Sequence, residues 1–178
     1  DVIESRGLGD VYKRQDHGGG NLSTFSGKAV ASGRASIYAA ISSAMSALSG
    51  PLHGRANQSC LEFVKRIGTD DPDEIESFVR RELSSKRPIY GFGHGVLRAE
   101  DPRARLLIEL GEEVCPDDPD FRTVKTLREV VPPILSEIPK ISNPFPNVDI
   151  ASGALLQSVG FRKPDYYTTF FGLSLIHI

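Results

Sequence analysis

Apolar residues recur at helical spacing along most of this chain, and no stretch shows the sustained alternation of a half-buried strand. Over 26–48, Val30, Ile37, Tyr38, Ile41, Met45 and Leu48 stand among alanines, serines and glycines. That pattern predicts one tightly packed helix whose small side chains let a neighbour approach closely. Gly50-Pro51 ends it, because glycine suits a helix C-terminus and proline cannot continue one. Residues 52–58 make a corner, and a second helix follows over 59–67. Asp70-Asp71-Pro72-Asp73 then offers a capping carboxylate and a first-turn proline. The helix that starts there places Ile75, Phe78, Val79 and Leu83 on its buried face, opposite Glu74, Arg80, Arg81 and Glu82.

A loop is predicted over 84–95, closing in Tyr90-Gly91-Phe92-Gly93-His94-Gly95, where alternate glycines free the backbone to approach a ligand. Asp101-Pro102 opens a helix with Leu106, Leu107, Leu110 and Val114 facing inward, and the turn residues of 116–119 end it. The next pattern runs through Phe121, Val124, Leu127 and Val131. It is expected to break at Pro132-Pro133 and resume through Ile134, Leu135 and Ile138. Two prolines make 143–147 a loop, Asp149 begins an apolar helix over 150–159, and Pro164-Asp165 opens a short aromatic one through Phe171. The fold class is therefore all-α, with no internal repeat or low-complexity tract.

At 178 residues the chain can form one cored domain or parts of two. Its 21 basic and 23 acidic residues are scattered, so no single-sign block marks a nucleic-acid or membrane-surface partner. No apolar run reaches the roughly 18 residues of a membrane span. With that, and no basic region followed by an apolar core and cleavage site at the N-terminus, a cytoplasmic compartment is expected. Cys60 and Cys115 stand far apart without paired spacing, which fits reduced, ordinary apolar residues.

Three of the four histidines stand beside glycine in corners: His17 in Asp16-His17-Gly18-Gly19-Gly20-Asn21, His53 in Gly50-Pro51-Leu52-His53-Gly54, and His94. Corners at helix ends are where an imidazole and free amides can be aimed at an anion. Taken singly, each histidine reads as well as a buried structural residue. Metal binding is disfavoured, since no two histidines share a helical turn and no cysteine joins them. Gly91, Gly93 and Gly95 do not make a dinucleotide loop either, lacking a preceding strand and the fingerprint's third glycine.

The run Gly91-Phe92-Gly93-His94-Gly95-Val96-Leu97-Arg98-Ala99-Glu100-Asp101-Pro102-Arg103 resembles the motif of the citrate synthase family, in which glycine and histidine precede Asp-Pro-Arg. Gly50-Pro51-Leu52-His53-Gly54-Arg55-Ala56-Asn57-Gln58 resembles the family's other histidine corner, and Pro146-Asn147-Val148-Asp149 its aspartate motif. Asp16-His17 with Asn21 resembles a third histidine motif, so four motifs occur in the family's order.

That resemblance implies condensation of acetyl-CoA with oxaloacetate. Asp149 would take a methyl proton from the thioester, while His53, neutral at a helix start, donates to the thioester oxygen. His94 would donate to the oxaloacetate ketone, and His17 and Arg103 would hold its carboxylates. Arg98 and the backbone of Ile89, Tyr90, Gly91, Phe92 and Gly93 correspond to the part that holds coenzyme A; for Arg98 a solvated surface arginine fits equally. Acetyl-CoA is a co-substrate, and no metal or tightly bound cofactor is implied. By the same resemblance, 16–53 belongs to a large domain, 54–160 is a small domain that rocks over it, and 161–174 returns to the large one. The 26–48 helix corresponds to one in the family's homodimer interface, so a homodimer or larger homo-oligomer is expected, although packing within one subunit explains its small residues too.

Residues 1–15 and 175–178 do not resemble the family and read as unrelated flanks, and Leu175 stands where the family has an arginine that clamps oxaloacetate. On that basis the chain alone is expected to be poorly soluble and inactive. The alternatives are 2-methylcitrate synthase, which uses propionyl-CoA on the same scaffold, and a non-catalytic relic. Val96-Leu97-Arg98 with Asp101-Pro102-Arg103 looks more like a synthase than a lyase relative.

Overall fold

The computed structural model describes residues 21–95, 97–163 and 165–172, and of the side chains at 168–171 nothing is said. Among these residues there are helices and no strand: α1 Leu22–Ser32, α2 Ile37–Leu48, α3 Ala56–Ile67, α4 Pro72–Ser84, α5 Pro102–Val114, α6 Pro119–Ser136, α7 Asp149–Ser158 and α8 Asp165–Gly172. The all-α expectation holds. Two compact units result, one containing α1, α2 and α8, the other spanning Ala56–Arg162.

In the first unit, the single helix expected over 26–48 is two. Gly33 caps α1, Arg34 takes a left-handed φ of 59°, and Ser36 Oγ accepts the Ala39 N–H to start α2. Apolar spacing continues through the turn, which is why periodicity alone does not reveal it. The small residues serve this hairpin: a Cβ on Gly27 would lie 3.2 Å from that of Ala44, and Ser26 and Ser43 hydroxyls bond across it. Ala44 and Leu48 are the buried apolar residues of α1 and α2, while Ile37 and Tyr38 are 69% and 82% exposed. α8 packs on α2, with Gly172 beside Met45.

The second unit has a continuous core built on Phe63, Ile75, Val79, Phe121, Val124, Leu127 and Val131, all fully buried. Aspartates cap three of its helices, at Asp71 and Asp101 as expected and also at Asp118, in the stretch read as a turn. Asp71 accepts from the Asp73 and Glu74 amides, Asp101 from Arg103, and Asp118 from Phe121.

Three local expectations are corrected here. α6 runs unbroken through Pro132-Pro133. A mid-helix proline loses one hydrogen bond and crowds the carbonyl four residues back, at about 3 kcal/mol. Burial of Val131, Ile134 and Leu135 around the pair holds the helix against that cost. In α5 the buried stripe is Ala104, Ile108 and Gly111, whereas Leu106, Leu110 and Val114 are about half exposed. At Gly111 only the smallest residue fits, because the Phe121 ring from the first turn of α6 lies so close that a Cβ would stand 2.2 Å from it, while α7 packs against α5. Glu82, expected to face solvent on α4, is buried and accepts from Arg66 at 3.1 Å and Arg87 at 3.0 Å. Such a charge tolerates burial only because two guanidinium groups satisfy it.

Candidate active site

Each unit carries part of the candidate chemistry. In the first, the chain leaving α2 turns through Gly50 and Pro51, with the His53 N–H donating to Gly50 O at 3.0 Å. The His53 ring meets the start of α1. The Ser23 backbone N–H donates to Nε2 at 3.2 Å, and Ser23 Oγ lies 2.8 Å from the same nitrogen. Asn21, the cap of α1, accepts from the Thr24 N–H and from Ser23 Oγ, which holds that turn in place. An N–H aimed at Nε2 requires a lone pair there, so in the neutral ring the hydrogen sits on Nδ1. Burial lowers the His53 pKa, and the positive end of α1 disfavours the imidazolium further. The result is a neutral imidazole offering Nδ1–H as a donor.

In the second unit, two loops lie side by side. One carries His94 and the other leads into Asp149. Phe92 and Pro146 form an antiparallel bridge, Gly93 N–H donates to Phe145 O at 2.9 Å, and Asn147 N–H donates to Gly91 O at 2.9 Å. Gly91 and Gly93 have φ of 83° and 82°, a region that disfavours any side chain. At Gly91 the backbone is also pressed against the protein, since a Cβ would lie 2.9 Å from Cys60 Sγ and 3.1 Å from Ile150. The glycines expected to free the backbone for a ligand are thus needed first for contact between the two loops. Ile89, Tyr90 and Phe92 turn their side chains towards the core.

Leu97 N–H donates to His94 Nδ1 at 3.0 Å, so the neutral ring carries its hydrogen on Nε2. His53 and His94 therefore hold opposite tautomers. Asp149 is the first helical residue of α7 rather than its cap. The cap is Val148, which supplies no side-chain bond, and the Asp149 N–H donates to Asn147 Oδ1 at 3.0 Å. A carboxylate in a first helical turn is favoured in its ionised form. Cys60 lies close to it. Burial first, and the Asp149 charge second, push the Cys60 thiol well above its ordinary pKa, so it stays protonated.

Arg103 is mostly buried and chelates Asp101, with Nε 2.9 Å from Oδ1 and Nη2 2.6 Å from Oδ2. Burial works to raise the Asp101 pKa, but hydrogen bonds from Arg103 and the Arg103 charge prevail and hold it below the usual carboxylate value. Arg98 is exposed and curls onto its own loop, with Nη1 2.9 Å from Leu97 O. His17 lies outside the described residues, as do 1–15 and 175–178. No cluster of His, Cys, Asp or Glu suited to a metal occurs among the described residues.

Residue patterns single out His53, His94 and Asp149 but not the groups that set them. Ser23 stands thirty residues before the histidine it contacts, and Asn147 falls in the aspartate motif without a role of its own. A local clue exists for Asn147: an Asn two residues before a helix start commonly accepts that helix's first amide.

A profile of the citrate synthase C-terminal domain matches residues 14–176. The chain belongs to the citrate synthase family. It is 43% identical over 169 residues to the mitochondrial citrate synthase of Fragaria ananassa, covering 92% of this chain and 36% of that protein. Against the mitochondrial 2-methylcitrate synthase of Yarrowia lipolytica it is 43% identical over 164 residues, 89% of this chain and 35% of that one. The crystal structure of citrate synthase from Thermotoga maritima MSB8 matches with a TM-score of 0.75 and 37% identity, over 86% of this chain and 41% of that one. A second structure is a ternary complex of carboxymethyl coenzyme A and oxaloacetate with citrate synthase from Thermoplasma acidophilum. It matches with a TM-score of 0.72 and 29% identity, over 85% of this chain and 40% of that one.

This segment of a citrate synthase fold therefore spans about a third of the length of those two sequence relatives. The comparison also corrects the compartment. Both relatives are mitochondrial, which points to the mitochondrion rather than the cytoplasm. Scattered charge and unpaired cysteines are common to folded proteins of both compartments, and an address is read from a leader rather than from a folded domain.

Proposed function

We propose that a full-length subunit carrying this segment condenses acetyl-CoA with oxaloacetate, giving citryl-CoA and then, with water, citrate and free coenzyme A. The observation that carries this reading is the pair of opposite tautomers. Two neutral imidazoles each offer one hydrogen, which suits polarisation of two carbonyl oxygens. Asp149 removes a methyl proton as the His53 Nδ1–H donates to the thioester oxygen. The enol carbon then attacks the ketone carbon of oxaloacetate while the His94 Nε2–H donates to its oxygen. Arg103, held in plane by Asp101, presents a rigid fork to a substrate carboxylate, with His17 as its companion. Arg98 and the backbone of 89–93 contact coenzyme A, which enters as acetyl-CoA; no tightly bound cofactor is needed. The Thermoplasma complex with a coenzyme A derivative and oxaloacetate supports this substrate pair. The exposed apolar face of α2, with Ile37, Tyr38, Ile41 and Met45, supports a homodimer or larger homo-oligomer.

The 43% identity to a 2-methylcitrate synthase supports a second reading, with propionyl-CoA as the acyl donor. The test is oxaloacetate-dependent thiol release from each acyl-CoA by a full-length subunit. Faster release from acetyl-CoA is expected, with Asp149→Ala lowering kcat by about 10²–10⁴-fold. Faster release from propionyl-CoA transfers the proposal to the second reading, and none from either leaves a non-catalytic binding protein.

A further inference from the structure

Asn147 bonds both to the His94 loop through its side chain and to the first amide of the Asp149 helix. Its Nδ2 donates to Gly93 O at 2.9 Å, on the residue directly before His94. Its Oδ1 accepts the Asp149 N–H at 3.0 Å. Its own backbone N–H donates to Gly91 O at 2.9 Å. One half-buried carboxamide thus spans two loops more than fifty residues apart in sequence, and it uses a donor and an acceptor at once. Around it the fit is tight, because Gly91 is wedged against Cys60 and Ile150. Asn143, in the same loop, ties a different pair, Leu97 O at 2.7 Å and the Phe145 N–H at 2.9 Å. Those side-chain bonds go to neither Gly93 nor Asp149, although the Asn143 carbonyl lies against Gly93.

We infer that Asn147 is a positioning residue that fixes the His94 loop against the start of α7, and so sets the placement of His94 relative to Asp149. The inference rests on the roles proposed above for those two residues. A clip of this kind acts on the chemical step rather than on affinity. Misplacing a donor relative to a base by a fraction of an ångström lowers kcat while leaving most ground-state contacts in place. Aspartate in place of Asn147 would turn an oxygen towards Gly93 O and add a charge near Asp149. Serine is the cleaner probe: its hydroxyl can still accept an amide two residues on, but it is too short to reach Gly93 O.

The experiment compares wild type, Asn147→Ser and Asn147→Ala in a full-length subunit, by steady-state kinetics and by amide hydrogen exchange. Asn147→Ser is expected to lower kcat about tenfold, with KM for oxaloacetate within about threefold. It should speed exchange of the Gly93 and Asn147 amides while the Asp149 amide stays protected. Asn147→Ala should expose all three amides. Wild-type kcat in Asn147→Ser, or a rise in KM that accounts for the whole loss, overturns the inference. If Asn147→Ala fails to fold, Asn147→Ser decides alone. If wild type shows no thiol release, the proposed function fails instead, and unchanged Gly93 and Asn147 exchange in Asn147→Ser still overturns the clip.

Discussion

The two compact units hold their candidate residues by different means. The second holds the His94 and Asp149 loops on a core in which nine large apolar side chains are fully buried, from Phe63 to Ile150. The first holds His53 on a hairpin whose buried apolar residues are Ala44 and Leu48, with polar contacts from Ser23 and Asn21 doing the local placement. An imidazole can therefore be fixed either by packing around its loop or by hydrogen bonds at a helix start, and the two should fail differently when perturbed.

The largest contrast is expected at two helical glycines. Gly111→Ala places a methyl group 2.2 Å from the Phe121 ring, inside the packed core, and should cost about 3 kcal/mol. Gly27→Ala meets Ala44 at 3.2 Å in a thinner contact, and the gain in helix propensity offsets most of it, so the change should stay below about 1 kcal/mol. Denaturant unfolding measures both, and equal costs would remove the distinction between the units.

A smaller effect concerns pH. The folded-state pKa of His53 lies below its ordinary value near 6.5 because the ring is desolvated. As pH falls through that ordinary value, the unfolded chain takes up a proton that the folded chain does not. Stability should therefore drop with falling pH until the folded pKa is reached, and be fully present above 6.5. His53→Gln should flatten that part of the profile. An unchanged slope would show that His53 is not the group responsible.

The smallest change in stability is expected at Tyr38→Lys. At 82% exposure the side chain contributes little to the fold of its own chain, so unfolding should shift by no more than about 0.5 kcal/mol. Self-association, read by light scattering, should weaken clearly if α2 forms an interface. A charge that leaves association intact would place the interface elsewhere.

Much of this protein is written in short-range chemistry. Asp71-Pro72, Asp101-Pro102 and Asp118-Pro119 start helices because a carboxylate, a proline and the first turn's free amides are adjacent in sequence. The all-α class follows from helical periodicity, and His53, His94 and Asp149 stand out because their motifs are contiguous. The turn at Arg34 is local too, made by the Gly33 and Ser36 caps that the continuing helical spacing hides. Packing alone decided the rest. The unbroken α6 was settled by neighbours that no local window contains. So were the inward face of α5, the burial of Glu82, and the partners Ser23 and Asn147. Each depends on which distant surface comes closest: a glycine wins over a leucine where a ring approaches to contact, and a tautomer is set by an amide thirty residues away.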